Sequence, residues 1–186
     1  MITTTQRGVT LELFTKPTLF SPHGVDKGTQ TMLDMVTFTP EDKVLDLGCG
    51  YGVVGLTAAA IIGGGKVWMV DIDPLAIQQA QQNAAHNGIK DISFTQSDGY
   101  RQLHESNFTC ILSNPPYHVD FAVPKHFIEK GFNRLALGGH LYMVTRRLDW
   151  YKNKLTAIFG GVRVTYTNDY YVFDAQKRST RYANKK

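Results

Sequence analysis

From Lys43 onward, short β-branched runs alternate with longer windows of helical periodicity, and this alternation restricts the fold more than any other feature of the chain. Strands joined by helices pair in parallel, because each connection must cross over the sheet before the next strand can begin. The first such run is VLDL at 44–47. A glycine turn follows, then a helix over 53–62 that the glycines at 63–65 stop before the run KVWMV. Asp73 and Pro74 supply an N-cap and a first-turn proline for a helix that ends at Asn87-Gly88. Residues 92–95 and 108–113 read as the third and fourth strands, the fourth halted by Pro115-Pro116. A helix over 125–136, the strand HLYMV and a helix over 149–159 follow, with the glycine pairs 138–139 and 160–161 as punctuation. The runs 162–167 and 170–175, joined by Asn168-Asp169, form an antiparallel hairpin. The fold class predicted is α/β, a seven-stranded and mostly parallel sheet with a C-terminal antiparallel hairpin and helices on both faces.

The 186 residues, 42% of them hydrophobic, suffice for one domain with one sizeable core. Residues 1–40, with a short strand, a proline-broken loop and a helix over 27–36, are expected to form an edge or lid on the main sheet. The basic segment 178–186 reads either as a frayed tail or as an arm that contacts RNA. A net charge of +4 fits a polyanionic partner without requiring one. The two cysteines make no disulfide framework, the N-terminus has no basic-then-apolar leader, and no apolar run is long enough to span a membrane. A cytoplasmic protein is expected. The histidines are scattered without metal-ligand spacing, so no metal is expected.

The turn Asp46-Leu-Gly48-Cys-Gly50-Tyr-Gly52 lies where the first strand becomes a helix, and its glycines let backbone approach a ligand. Gly50, Gly52 and Gly55 also satisfy the dinucleotide spacing G-x-G-x-x-G, with Asp71 at a distance suited to a ribose-binding acid. Asp46 separates the two readings. A carboxylate at the end of that strand repels a pyrophosphate in the turn but favours the ammonium and sulfonium of S-adenosylmethionine. Asp71, closing the second strand, is expected to hold both ribose hydroxyls, whereas Asp73 is read as a helix cap. Asp98, after the third strand, is in register to accept from the adenine amino group. Ile72 and Gly99, next to these acids, complete the expected cofactor wall.

At the end of the fourth strand stands Ser113-Asn114-Pro115-Pro116-Tyr117. Two successive prolines stiffen the backbone and remove two N–H donors, leaving carbonyls and the Asn114 side chain as acceptors. An exocyclic amine is a natural partner for such acceptors. Gripping its hydrogens orients the nitrogen lone pair, so catalysis becomes chiefly orientation and electrostatics. Tyr117 offers a face on which an unstacked base can lie. Arg146 and Arg147, after the fifth strand, either face a phosphate or sit at a solvated strand end.

With these residues in view the chain resembles the small-domain, Rossmann-like class I methyltransferases, and within them the 16S ribosomal RNA guanine-N2 methyltransferase C group. The resemblance runs from about 11 to 178. It rests on Phe20-Ser21 with Val25-Asp26-Lys27-Gly28, the turn DLGCGYGVVGL, Asn114-Pro115-Pro116-Tyr117 followed by His118, and Leu148-Asp149-Trp150-Tyr151 with Phe159-Gly160. It implies S-adenosylmethionine as cofactor, Asp46, Gly48, Gly50, Asp71 and Asp98 around it, Phe20 and Gly28 over its methionine end, and Asn114 on the substrate amine. Asp120 stands where the family often has glycine. The expected reaction is methylation of an RNA base, guanine N2 in ribosomal RNA first. Protein glutamine N5 or adenine N6 are alternatives, because the same tetrad serves them, and a catalytically silent RNA-binding or cofactor-sensing domain is a third reading.

Overall fold

A computed structural model describes residues 1–116 and 120–184. Its elements in chain order are β1 (Ile2–Gln6), β2 (Val9–Leu13), α1 (Lys27–Met35), β3 (Val44–Leu47), α2 (Val53–Ile62), β4 (Val67–Asp71), α3 (Pro74–His86), β5 (Ser93–Gln96), β6 (Phe108–Ser113), α4 (Ala122–Arg134), β7 (Leu135–Thr145), α5 (Asp149–Phe159), β8 (Arg163–Thr167) and β9 (Tyr170–Gln176). Among the described residues, seven strands form the main sheet in the order β5-β4-β3-β6-β7-β9-β8. The first five in that order run parallel, and β9 and β8 close the far edge antiparallel, as the sequence predicts. In the β8–β9 hairpin Asn168 and Asp169 both have positive φ, the geometry a two-residue turn between twisted strands requires.

All four residues of β3 are buried, which a central strand covered on both faces demands. One apolar cluster packs α1, α2 and α3 on one face, with Met32, Leu33, Leu56 and Ala80 at its centre. A second packs α4 and α5 on the other, around Ile128, Phe132, Leu155 and Phe173. The chain leaves β3 toward β4 over one face and reaches β7 from β6 over the other. A crevice therefore opens at the carboxyl ends of β3 and β6, where the winding reverses.

Two local features of the sheet region differ from the sequence reading. α4 begins at Ala122 because Pro124 sits in its first turn, where an amide N–H has no helical partner to lose. Gly138 and Gly139 do not interrupt the chain between helix and strand. They lie inside β7, which starts directly after α4, and the register with β6 shifts between Phe108 and Cys110. Gly138 has φ +86 there, an irregularity that keeps the β9 side paired through Gly138 N–H to the Lys177 carbonyl at 2.7 Å.

The N-terminal segment is more regular than expected. β1 and β2 pair around Arg7 and Gly8 as a separate two-stranded sheet that does not join the seven-stranded one. Side chains of α3 stand in for a neighbouring strand. Asn87 accepts from the Glu12 N–H at 3.0 Å and donates to the Glu12 carbonyl at 2.8 Å, and one turn earlier Asn83 does the same with Phe14 at 2.8 and 2.9 Å. Asn83 also donates to the Tyr51 carbonyl at 2.8 Å, tying the hairpin to the glycine turn. At the other end of the chain, Tyr182 packs its ring edge-on to Phe132 and donates to the Glu129 carbonyl. Among the described residues no helix is long and apolar enough to cross a membrane.

Asn83 is completely buried, so its removal leaves the Tyr51 carbonyl and part of the Phe14 backbone unsatisfied. Asn83→Ala is expected to lower the unfolding free energy by about 2–3 kcal/mol, measured by urea titration. An unchanged urea midpoint would refute the clamp.

Candidate functional site

The crevice contains a cavity of about 400 Å³. Its floor is the turn between β3 and α2, where Gly48, Gly50 and Gly52 all have positive φ (+78, +53 and +108) that side chains would strain. Beneath this turn the Asp46 carboxylate accepts the Gly55 N–H at 2.8 Å. Gly55 lies in the first turn of α2, so the acid occupies from inside the N-terminal end where a phosphate would otherwise bind. Asp71, at the end of β4, accepts the Gly50 N–H at 2.8 Å and the Asp73 N–H at 3.0 Å. Its carboxylate is held at the rim by backbone, with lone pairs on both oxygens beyond those two bonds.

Burial pushes the Asp46 carboxyl up to about 7, the Gly55 bond pulling against this and the Asp71 charge adding to it. Burial likewise raises Asp71 above the ordinary carboxylate value, against the pull of the Asp73 and Gly50 amides. The Cys49 thiol between them is pushed well up by burial and by both acids, so it lines the cavity as a small apolar group and not as a thiolate. Asp98 follows β5 and forms an ion pair with Arg101 at 3.2 Å.

On the β6 side Asn114 is fixed by residues the sequence reading did not assign. Its Nδ2 donates to Asp26 Oδ2 at 2.9 Å and to Thr29 Oγ1 at 3.0 Å. Asp26 is at the same time the N-cap of α1, accepting the Thr29 N–H at 3.0 Å. A carboxylate only accepts, so the nitrogen of the Asn114 amide must face it and the oxygen must face the other way. The signal available in the sequence, an Asp three residues ahead of a Thr at a helix start, announces only a cap. Its second use depends on α1 reaching across to the end of β6. Tyr51, buried below the same loop, donates to the Ser21 and Gly24 carbonyls at 3.3 and 3.2 Å and holds 21–24 against the turn.

The structure brings Phe20, Asp46, Gly48, Gly50, Asp71, Ile72, Asp98, Gly99, Asn114, Pro115 and Pro116 onto one cavity wall. Ile72 is 63% exposed, an apolar surface beside Asp71. Gly28 is not on that wall. A side chain there would stand 2.7 Å from the Tyr170 ring, so this glycine permits α1 to pack on β9. Tyr117 lies outside the described residues. Asp26, Asp46, Asp71, Asp73 and Asp98 line the cavity, and no lysine or arginine does so among the described residues. Such a wall favours a cationic ligand and disfavours a polyphosphate. No group of three or more His, Cys, Asp or Glu among the described residues is arranged to hold a metal.

The family model for the methyltransferase small domain matches residues 10–174. The chain is 33% identical over 163 residues to the ribosomal RNA small subunit methyltransferase C of Hahella chejuensis, covering 86% of this chain and 47% of that protein. It is 33% identical over 162 residues to the ribosomal RNA large subunit methyltransferase G of Klebsiella pneumoniae, covering 83% and 43%. Among solved structures, the T. thermophilus 16S rRNA N2 G1207 methyltransferase in complex with AdoMet and guanosine superposes with a TM-score of 0.85 at 28% identity, covering 95% of this chain and 50% of that one. The chain thus spans about half the length of these relatives. With the matched region running from β2 to β9 and the acid-lined cavity at its centre, the chain belongs to the methyltransferase small domain family.

Proposed function

We propose that this chain transfers a methyl group from S-adenosylmethionine to the N2 amine of an unpaired guanine in ribosomal RNA. The observation that carries this reading is the pairing of a cavity rich in aspartates, with no lysine or arginine on its wall among the described residues, with an Asn114 amide whose nitrogen donates to Asp26 and Thr29. The relatives named as ribosomal RNA methyltransferases, and a structural neighbour in complex with AdoMet and guanosine, support it.

The residues fit the cofactor's chemistry: Asp46 beside its cationic end, Asp71 on the ribose, Asp98 and the exposed Ile72 at the adenine, and Phe20 as a cover. When bound, it supplies an electrophilic methyl on a sulfonium. The Asn114 oxygen and the Pro115 carbonyl accept the two hydrogens of the target amine, turning its lone pair toward that methyl. The apolar residues that share the wall with the acids, Leu19, Val53, Val54 and Val70 among them, limit water around that contact, which strengthens the acid-to-cation attraction. Guanine N2 is paired in a duplex, so an extruded or single-stranded base saves a few kcal/mol. A protein glutamine or adenine N6 would offer a similar pair of hydrogens, and the test below separates them. Nothing in the proposal requires a metal or a membrane, and the cytoplasm is the compartment it implies.

Purified protein incubated with labelled cofactor and ribosomal RNA or subunits should yield N2-methylguanosine in nuclease digests. Label that appears only as N6-methyladenosine, or that proteases release, would move the assignment to adenine or to a protein. Asp26→Asn should keep the helix cap but permit the Asn114 amide to flip, lowering turnover on the order of tenfold to a hundredfold with cofactor affinity within a few-fold. Single-turnover rates with parallel calorimetry check this, and an unchanged rate would remove Asp26 as a positioning residue.

The raised Asp46 carboxyl makes cofactor binding depend on pH. Only its ionised form attracts the cation, so below about 7 binding must first expel a proton. Affinity should therefore rise as pH increases from 5.5 to 8, by up to about thirtyfold. Calorimetry in buffers of different ionisation heat should show net proton release, and Asp46→Asn should flatten the dependence.

A further inference from the structure

Resting on the RNA reading above, we infer that Arg147, Phe121 and Trp150 form a second base-binding position at the lip of the cavity, for the nucleotide adjoining the target in the same strand. The carboxyl edge of the sheet presents its groups in strand order: Asp98 after β5, Asp71 at β4, the glycine turn after β3, Asn114 after β6, and Arg146-Arg147 after β7. The acids lie on the β5-to-β3 side, and the two arginines lie on the opposite side of Asn114. A ligand that places its cation over β3 and its reacting amine over β6 leaves the β7 side for whatever continues from the amine. For an RNA that is the next sugar, phosphate and base.

The side chains at that side suit such a neighbour. Phe121, at the start of α4, and Trp150, in the first turn of α5, stack with ring centroids 4.5 Å apart and planes 23° from parallel. The Arg147 guanidinium lies over the Phe121 ring, with Cζ 5.1 Å from its centroid. A planar cation backed by two aligned rings is a surface on which bases stack. Arg146 and Arg147 are both exposed, and Arg146 sits over the Tyr170 ring at 4.8 Å, donating to its hydroxyl. The charge therefore changes sign across the mouth, with acids inside for a cation and arginines outside for a phosphate backbone. Val123 and Phe127, further along the helix that begins beside Phe121, line the cavity and connect the two positions through α4. A merely structural stack joining two helix starts needs neither the arginine above it nor the exposure of Phe121, 36%.

The test uses Trp150 as reporter in a Trp68→Phe background, with cofactor product present and a short single-stranded RNA holding one guanine. The same strand is also made with an abasic site beside that guanine, on one side or the other. Binding should quench the tryptophan, and one of the two abasic strands should bind about tenfold more weakly. Arg147→Lys, which keeps the charge but not the plane, and Phe121→Leu should each weaken the intact strand by a similar factor and remove the penalty of the abasic site. Thermal melts confirm that the variants are folded. Equal binding of intact and abasic strands, or an abasic penalty that persists undiminished in both variants, overturns the second position while leaving the proposed reaction intact. If the unaltered protein methylates no guanine in ribosomal RNA, the reading on which this position depends falls with it.

Discussion

The Asp46 carboxylate bonded to the Gly55 amide is the contact around which the site is organised. It stands next to last in the central strand, accepts an amide of the first crossover helix from within, and contributes to the sign of the field in the crevice. A helix that starts at the centre of a doubly wound sheet ordinarily presents its amides to an anion. Here an internal carboxyl group already takes that place, the turn above it is built of glycines, and a second acid, Asp71 at the end of β4, accepts the Gly50 amide and lines the crevice. The glycine spacing is shared with dinucleotide-binding turns, and the buried carboxylate is what turns it to a different purpose.

Opposite this acid, Asn114 shows how a single amide is given a direction. An asparagine on a loop could present either end to a substrate. Its coupling to Asp26 and Thr29 allows one orientation only, because a carboxylate cannot donate. The N-terminal segment is thereby part of the site. The Asn83 and Asn87 amides hold the β1–β2 hairpin to α3, and Tyr51 holds 21–24 below the turn, so the chain leading into Asp26 is tied down along its length.

Much of the fold is legible in the sequence. The alternation after Lys43 specifies the number of strands and their parallel pairing, since periodicity and caps are local properties. The glycine pair at 138–139 misleads, because glycine punctuates loops and also admits irregular strands, and only pairing with β6 and β9 separates the two. The N-terminal hairpin is poorly legible for a similar reason. Its outer edge is satisfied by asparagine side chains in and just after α3, 69 and 75 residues away along the chain.

For the site, the sequence by itself determined the residue types and their places at strand ends: Asp46, Asp71 and Asp98 after successive strands, and Asn114-Pro115-Pro116 after the fourth. Each follows from the strand that precedes it, because parallel strands bring their carboxyl ends to one edge. Only the tertiary structure decided that Asp26 and Thr29 lock Asn114, that Gly28 serves the packing of Tyr170 instead of the cavity, and that Arg147, Phe121 and Trp150 stack together. These depend on distances between segments far apart in the chain. Hydrogen bonding and close packing act across a few ångströms of space, and no local pattern of residues records which segments the fold will bring that near.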